Sequence, residues 1–332
     1  MHVFFVVCAA LLLVLAFVSF FGGRYGLTAG ETIRVMLSHF FSIERNWPKA
    51  YETVVFHVRL PRILAAMVIG CALSLAGCAY QGVFKNPLVS PDILGASAGG
   101  GFGAVLAIYL SMSAAFIQIM TFAFSLLAVG VAYGVGGKIK RDPTLALVLS
   151  GVFVSSLCSA LVLLIKFVAD PNDKLPTITF WLMGSLSTIS IRDLAPVAVM
   201  LLVGGMPLML LSWRINVLSM GDEEAMALGV DLRRLRVAAV TCATILTASA
   251  VSVSGLIGWV GLVVPHLARL IVGPNNKVLF PASSLMGAIF LLLVDDLARM
   301  LSTSEIPLGV LTAIVGAPFF LSMMLRRGED LT

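Results

Sequence analysis

Nine stretches of this sequence hold no Asp, Glu, Lys or Arg: residues 3–23, 63–84, 93–137, 143–165, 175–191, 194–213, 237–268, 278–294 and 306–325. A helix of about 20 apolar residues spans the hydrocarbon core of a bilayer. Lipid offers no partner to an exposed N–H or C=O, so a chain built from such stretches folds as helices that satisfy their own backbones. Charged residues are 12% of the 332 positions and hydrophobic ones 59%, whereas about a quarter of a soluble domain is charged. So few charges cannot cover a water-facing surface. A soluble enzyme, a secreted disulfide scaffold, a disordered chain and a nucleic-acid binder are thereby excluded.

The fold class expected is all-α: a polytopic membrane protein with ten transmembrane helices in a single domain over residues 1–332. The helices fall at about 3–21, 60–82, 93–109, 114–136, 143–166, 194–212, 236–256, 258–268, 281–299 and 307–325. The stretch 93–137 holds two of them, broken near Ser111-Met112-Ser113. The stretch 237–268 holds a full helix and a shorter one, punctuated by Gly255, Gly258 and Gly261 and ended by Pro265. Residues 175–191 are few and carry Pro176, Gly184 and many hydroxyls, which reads as an outer interfacial helix at about 177–190. The run from Val3 to Phe21 has no basic segment before it, and Gly22-Gly23-Arg24 is not a small-x-small cleavage site. It reads as a first transmembrane helix, not a signal peptide.

Basic residues gather in loops that face the cytoplasm. Lys85, Lys138, Lys140, Arg141, Arg214, Arg233, Arg234, Arg236, Arg269, Lys277, Arg326 and Arg327 all fall on one side of the ten-helix arrangement. The short opposite loops near 110–114 and 257 carry none. Both termini are therefore expected in the cytoplasm, and the net charge of +5 reflects this asymmetry. The five cysteines, Cys8, Cys71, Cys78, Cys158 and Cys242, all lie in apolar runs and read as small packing residues.

No H-E-x-x-H is present, the four histidines are far apart, and Gly137-Lys138 is followed by Ile139 rather than Ser or Thr. No metal site, cofactor or P-loop is read from the residues. The glycines at 95, 99 and 103, and those at 130 and 134, read as small-residue stripes that let helices approach. Asp295 and Asp296 are the only acid pair inside an expected span. Intramembrane acids are functional candidates, although Arg299 at i,i+3 from Asp296 offers a structural partner.

Three segments look functional. Residues 219–236 place acids at 222–224, where the positive end of a helix dipole favours them. Gly229 can end that helix in a left-handed cap, and Asp231 can cap a second short helix. The two would form an elbow outside the membrane, with Glu224, Ala225, Leu228, Gly229 and Val230 at its bend. The outer loop 22–62 ends in Arg59-Leu60-Pro61-Arg62, with Pro61 suited to a first helical turn and two arginines at the mouth. Asn86-Pro87 is a turn signal, and Ser90 before Pro91 suits a helix start.

These residues resemble the permease subunits of ABC importers for iron-siderophores, haem and cobalamin, the FecCD type. The motifs, in order, begin with Arg59-Leu-Pro-Arg62, Gly70-x-x-Leu73-x-x-x-Gly77-x-x-x-Gln81 and Asn86-Pro-Leu88-x-x-Pro91-x-x-Leu94-Gly95. They continue with Gly255-x-x-Gly258-Trp-Val-Gly261-Leu-Val-Val-Pro265-His266-x-x-Arg269 and Glu305-x-Pro307-x-Gly309-x-x-Thr312-Ala313-x-x-Gly316-x-Pro318-x-Phe320. The resemblance implies a cobalamin-importer-like permease fold, used as a homodimer in the cytoplasmic (inner) membrane. It implies two copies of an ATP-binding cassette ATPase inside, and a periplasmic or lipid-anchored substrate-binding protein outside. The subunit would move a metal chelate, an iron-siderophore complex first, and would itself be no enzyme. The family's coupling helices fall on about 219–235. Its outer docking arginines fall on Arg59, Arg62 and Arg299, and its cytoplasmic gate falls by position on Asp142, Pro143 and Thr144. The rival reading is a proton-coupled secondary transporter using Asp295 and Asp296.

Overall fold

The computed structural model describes residues 1–23, 25–39, 41, 44–139, 143–302 and 304–329. Among them there is no strand. The helices are α1 (His2–Ser19), α2 (Ala29–Ser38), α3 (Lys49–Glu52), α4 (Leu60–Val83), α5 (Ala96–Tyr109), α6 (Ala114–Gly136) and α7 (Pro143–Val168). They continue with α8 (Lys174–Leu182), α9 (Ile191–Leu218), α10 (Asp222–Ala227), α11 (Leu232–Ser254), α12 (Val260–Val272), α13 (Asn276–Met300) and α14 (Leu308–Glu329). A π-helical segment, Thr53–Arg59, runs from α3 into α4, and a 3-10 turn, Pro91–Leu94, precedes α5. Each of the ten helices expected from sequence has its counterpart: α1, α4, α5, α6, α7, α9, α11, α12, α13 and α14. Seven are long and apolar enough to cross a membrane, whereas α5, α12 and the apolar part of α14 (308–321) are shorter.

Helix α4 is the axis of the bundle. Its small and apolar residues leave no polar face, and a helix that is apolar all round is a buried one. Nineteen of its 24 residues are buried, against only Cys8, Leu12 and Ser19 on α1. It packs on α9, α11, α12 and α13. Glycines permit the two closest approaches. A Cβ added at Gly77 would lie 1.8 Å from the carbonyl oxygen of Gly261, and one at Gly70 would lie 2.2 Å from that of Gly287. In α5, a Cβ at Gly99 or Gly103 would meet the α6 carbonyl of Phe124 or Met120 at 2.6 and 2.5 Å. That stripe is a packing seam, as its spacing suggests. Gly130 and Gly134 differ: nothing lies within 4 Å of a Cβ built at either, so the close packing expected there is not made within the chain.

Several boundaries depart from the sequence reading. The loop 22–62 is largely helical, and α4 is the continuation of a helical path that begins at Lys49. Pro61 lacks an N–H, and its ring crowds the carbonyl four residues back. The wide π turn before it eases that crowding, so Pro61 sits in the first turn of α4, as expected, within a helical path that already began at Lys49. The interfacial helix is α8, which ends at Leu182. Residues 183–190 form a turn instead, because Gly184 takes a left-handed φ of 74°. The second elbow helix is not short but is the start of the 23-residue α11. Pro265 does not end α12, which runs on to Val272 and stops at Gly273, φ 83°. A proline inside a helix removes one hydrogen bond, and the packing of α12 on α4 and α13 holds the rest.

Replacing Gly77 by Ala is expected to force α4 and α12 apart and to cost about 1–3 kcal/mol, the usual penalty of overpacking, seen as a lower unfolding temperature in detergent. Gly30→Ala, in open space on α2, should leave that temperature unchanged or slightly raised.

Candidate functional site

The three mouth arginines come together at the end of the bundle where α1 and α13 finish and α4 begins. They do not project from it. Arg59 and Arg62 are each 4% exposed and Arg299 is 7% exposed. Arg62 donates through Nε to both oxygens of Asp295, at 2.9 and 3.0 Å, and through Nη1 to Glu305 at 2.7 Å. Arg299 lies 3.2 Å from Asp295 through Nε and pairs with Asp296 through Nη2. Its Nη1 donates to the carbonyl of Gly22 at 3.2 Å. Ser19 donates to Asp296 at 2.5 Å. Arg59 reaches only carbonyls, those of Phe20 and Tyr25, and so has no carboxylate partner among the described residues.

The network ties α1, α4, α13 and the segment before α14 into one rim. Buried charges persist only when paired or hydrogen-bonded, and here Arg62 and Arg299 hold three acids while carbonyls satisfy Arg59. Asp295 and Asp296 are thus engaged by guanidiniums at the rim. A cavity of about 350 Å³ opens beside them, lined by all three arginines, Glu305 and Tyr25.

Just inside the same end, a turn of backbone joins three elements. Leu308 and Gly309 of α14 donate to the carbonyls of Gly184 and Met183 at 3.0 Å each, and Ser185 donates to that of Ser254 at 2.8 Å. A Cβ at Gly309 would meet the Met183 oxygen at 2.6 Å. In the break between α11 and α12, Trp259 adopts φ 69°, a costly conformation for a bulky residue. Its ring fills the space beside Gly316 and meets Phe320 edge-on at 6.2 Å. Sequence reading noted these glycines and the tryptophan but missed that they meet. Only the contrast of Gly184, Gly255 and Gly309 with their bulky neighbours hinted at it.

At the other end, α10 stands outside the bundle against α9 and α11. Gly229, φ 77°, closes α10 with paired bonds: Val230 N–H to the Ala225 carbonyl at 3.0 Å and Gly229 N–H to that of Met226 at 2.9 Å. This is the left-handed double cap. Ala225 and Val230 are buried beneath it, whereas Leu228, 56% exposed, Met226 and Met220 face outward. Glu224 is exposed on α10. Asp231 caps α11 by accepting from Arg234 N–H at 3.0 Å. The sequence did not reveal Asp222 as a clamp: it accepts from Lys85 Nζ at 2.8 Å and Arg236 Nη2 at 2.7 Å. These contacts bind the elbow to the end of α4 and the start of α11. Of the expected gate, Asp142 lies outside the described residues, as do the side chains of Pro143 and Thr144, whose backbone opens α7.

A bundle of membrane-length helices around a glycine-seamed axis, with a closed ionic rim at one end and a capped elbow at the other, is the build of a transport permease. The chain belongs to the FecCD transport family, whose model matches residues 11–326. It is 41% identical to the molybdate import system permease protein MolB of Haemophilus influenzae, over 96% of this chain and 94% of that one. It is 40% identical to a probable iron chelatin transport system permease protein of Helicobacter pylori, over 92% and 93%. A solved ABC transporter in an inward-facing conformation, assigned to the metal-chelate type, superposes with a TM-score of 0.87 at 39% identity, over 98% of this chain and 99% of that one. The protein is a multi-pass membrane permease subunit of an ABC importer.

Two outcomes follow. Asp295→Asn leaves Arg62 buried with part of its compensation gone, and should cost about 3–5 kcal/mol, read as a fall in unfolding temperature. Arg62→Met combined with Asp295→Leu should recover much of that loss. At the elbow, the hydrogen bond from Lys85, with help from Arg236, holds the Asp222 carboxyl below its ordinary value. A depressed folded pKa means the clamp contributes fully above about pH 4 and is lost as pH falls through the lower folded value. Limited proteolysis of 219–231 should stay slow down to about pH 4 and quicken below it. Asp222→Asn should be cut quickly throughout.

Proposed function

We propose that residues 1–332 act as one transmembrane domain, paired as a homodimer in the cytoplasmic (inner) membrane, with both termini in the cytoplasm. Two copies of a separate ATP-binding cassette ATPase drive it. A periplasmic or lipid-anchored binding protein delivers a metal chelate, an iron-siderophore complex in the first instance. The observation that carries the reading is the elbow: a short capped helix outside the bundle, clamped to α4 and α11, with Met220, Met226 and Leu228 turned outward. Apolar side chains held on a rigid knob in water are the mark of a docking surface. A push on α10 reaches the axial helix through Lys85, so nucleotide in the partner can bias the arrangement of the bundle.

The binding protein is proposed to seat on the rim. Arg62 and Arg299 hold the rim's own acids, and Arg59, which lines the cavity with no carboxylate partner among the described residues, is the cation to which an acidic side chain of that protein answers. The segment at Asp142, Pro143 and Thr144 is proposed as the cytoplasmic gate. One finding favours a second cargo, an oxyanion such as molybdate: the 41% identity to a molybdate permease along nearly the whole chain. Uptake of labelled ferric siderophore against labelled molybdate, with the cognate binding protein, separates the two.

In liposomes, uptake is expected only with the ATPase and binding protein present; uptake by the permease alone under a proton gradient would restore the secondary-transporter reading. Leu228→Asp should abolish stimulation of the ATPase without altering insertion. Arg59→Glu should weaken binding-protein docking about tenfold or more, as expected when a buried interfacial charge is reversed. Unchanged docking, measured by surface plasmon resonance, would remove the rim from the interface.

A further inference from the structure

The clamp occupies one side of the start of α11; a cavity of about 570 Å³ lies on the other, between that start and the end of α6. Lys138, Arg233 and Arg236 line it together with Tyr133, Leu147 and Leu232. The described acids nearest Arg233 in sequence are already engaged: Asp222 by Lys85 and Arg236, and Asp231 by Arg234 at 3.0 Å. Among the described residues, Lys138 and Arg233 have no carboxylate partner, and the described lining of the cavity is cationic, with no acid in it. It sits where two membrane-length helices end, at Gly136 and Leu232.

Its wall is continuous with an apolar surface that nothing in the chain covers. Leu127, Val131 and Val135 of α6 are exposed, and Gly134, one of the two α6 glycines with open space around it, also lines the cavity. A soluble anion would use the cations and ignore this groove. An acidic soluble protein could meet the cations but would not lie along the face of a membrane-length helix. A molecule with a phosphate at one end and a hydrocarbon chain at the other satisfies both halves, and basic pockets between helix ends are where anionic headgroups bind.

We propose that the cavity between the end of α6 and the start of α11 binds the headgroup of an anionic phospholipid, with an acyl chain lying along the open Gly134 face of α6. The proposal rests on residues at the ends of α6 and α11 and stands whatever the cargo is. Lys138 and Arg233 hold the phosphate, and Tyr133 occupies the interfacial depth favoured by its amphipathic ring. Because Arg236 belongs to this cavity and to the Asp222 clamp, an occupied site lies one side chain from the elbow.

The test is native mass spectrometry of the full-length protein in detergent, titrated with phosphatidylglycerol or phosphatidylcholine. Phosphatidylglycerol should be retained at one per chain and phosphatidylcholine should not. The Lys138→Ala, Arg233→Ala double variant alters two exposed side chains and should weaken retention roughly twenty-fivefold, at about fivefold for each charge. Gly134→Leu fills the groove and should weaken phosphatidylglycerol while leaving both cations in place. Equal retention of the two lipids, or unchanged retention in the double variant, would overturn the proposal. Displacement of the lipid by millimolar inorganic phosphate would also overturn it, by making the site one for a free anion. So would cross-linking of residue 138 to the ATPase that is indifferent to lipid, because it would assign the cavity to a protein.

Discussion

Backbone laid directly on backbone is the constraint from which the rest of this bundle follows. Inside a membrane, lipid tails are as apolar as Leu, so helices gain little from hiding hydrophobic surface from one another. What remains is close van der Waals contact, and it requires small residues. Gly70 against Gly287 and Gly77 against Gly261 bring α4 within touching distance of α13 and α12. Side chains from α9 and α11 then surround the same axis. The peripheral helices, α1 and α6 among them, keep their large apolar residues outward, where lipid is their natural solvent.

Such a bundle slides easily unless its ends are fastened, and the two ends are fastened differently. The rim uses buried ion pairs between α1, α4 and α13, with little water to screen them. A single missing partner there leaves an expensive charge. The elbow uses exposed or half-exposed pairs around Asp222, which water weakens. A stiff end and a yielding end suit the proposed roles of the two, delivery of cargo at one and drive by a partner at the other. The rim also reframes the outer arginines. They hold this end of the bundle together, and Arg59 alone among them has no acid partner among the described residues.

Much of the fold was legible from the residues. The charge-free stretches located ten helices, and Gly229 with Asp231 announced the caps of the elbow. The small-residue spacing of α5 announced its seam with α6. Illegible were features set by partners distant in sequence. Pro61 marked the first turn of α4, but nothing local reveals the π turn that joins it to the helix before. Pro265 looked like a helix end because nothing local reveals the packing that carries α12 past it. Gly130 and Gly134 have the same spacing as Gly99 and Gly103, yet only the latter pair meets a neighbour.

Residue order was enough to establish that the chain lives in lipid, that it is helical, and where its helices lie, because burying a charge or an unpaired peptide group in hydrocarbon costs too much to permit another answer. It was enough for the family too, through glycines and prolines whose spacing records close approach. Which charges meet was settled only in three dimensions. Arg62 and Asp295 are 233 residues apart, and Lys85 and Asp222 are 137 apart; attraction depends on distance in space, which helix order does not reveal.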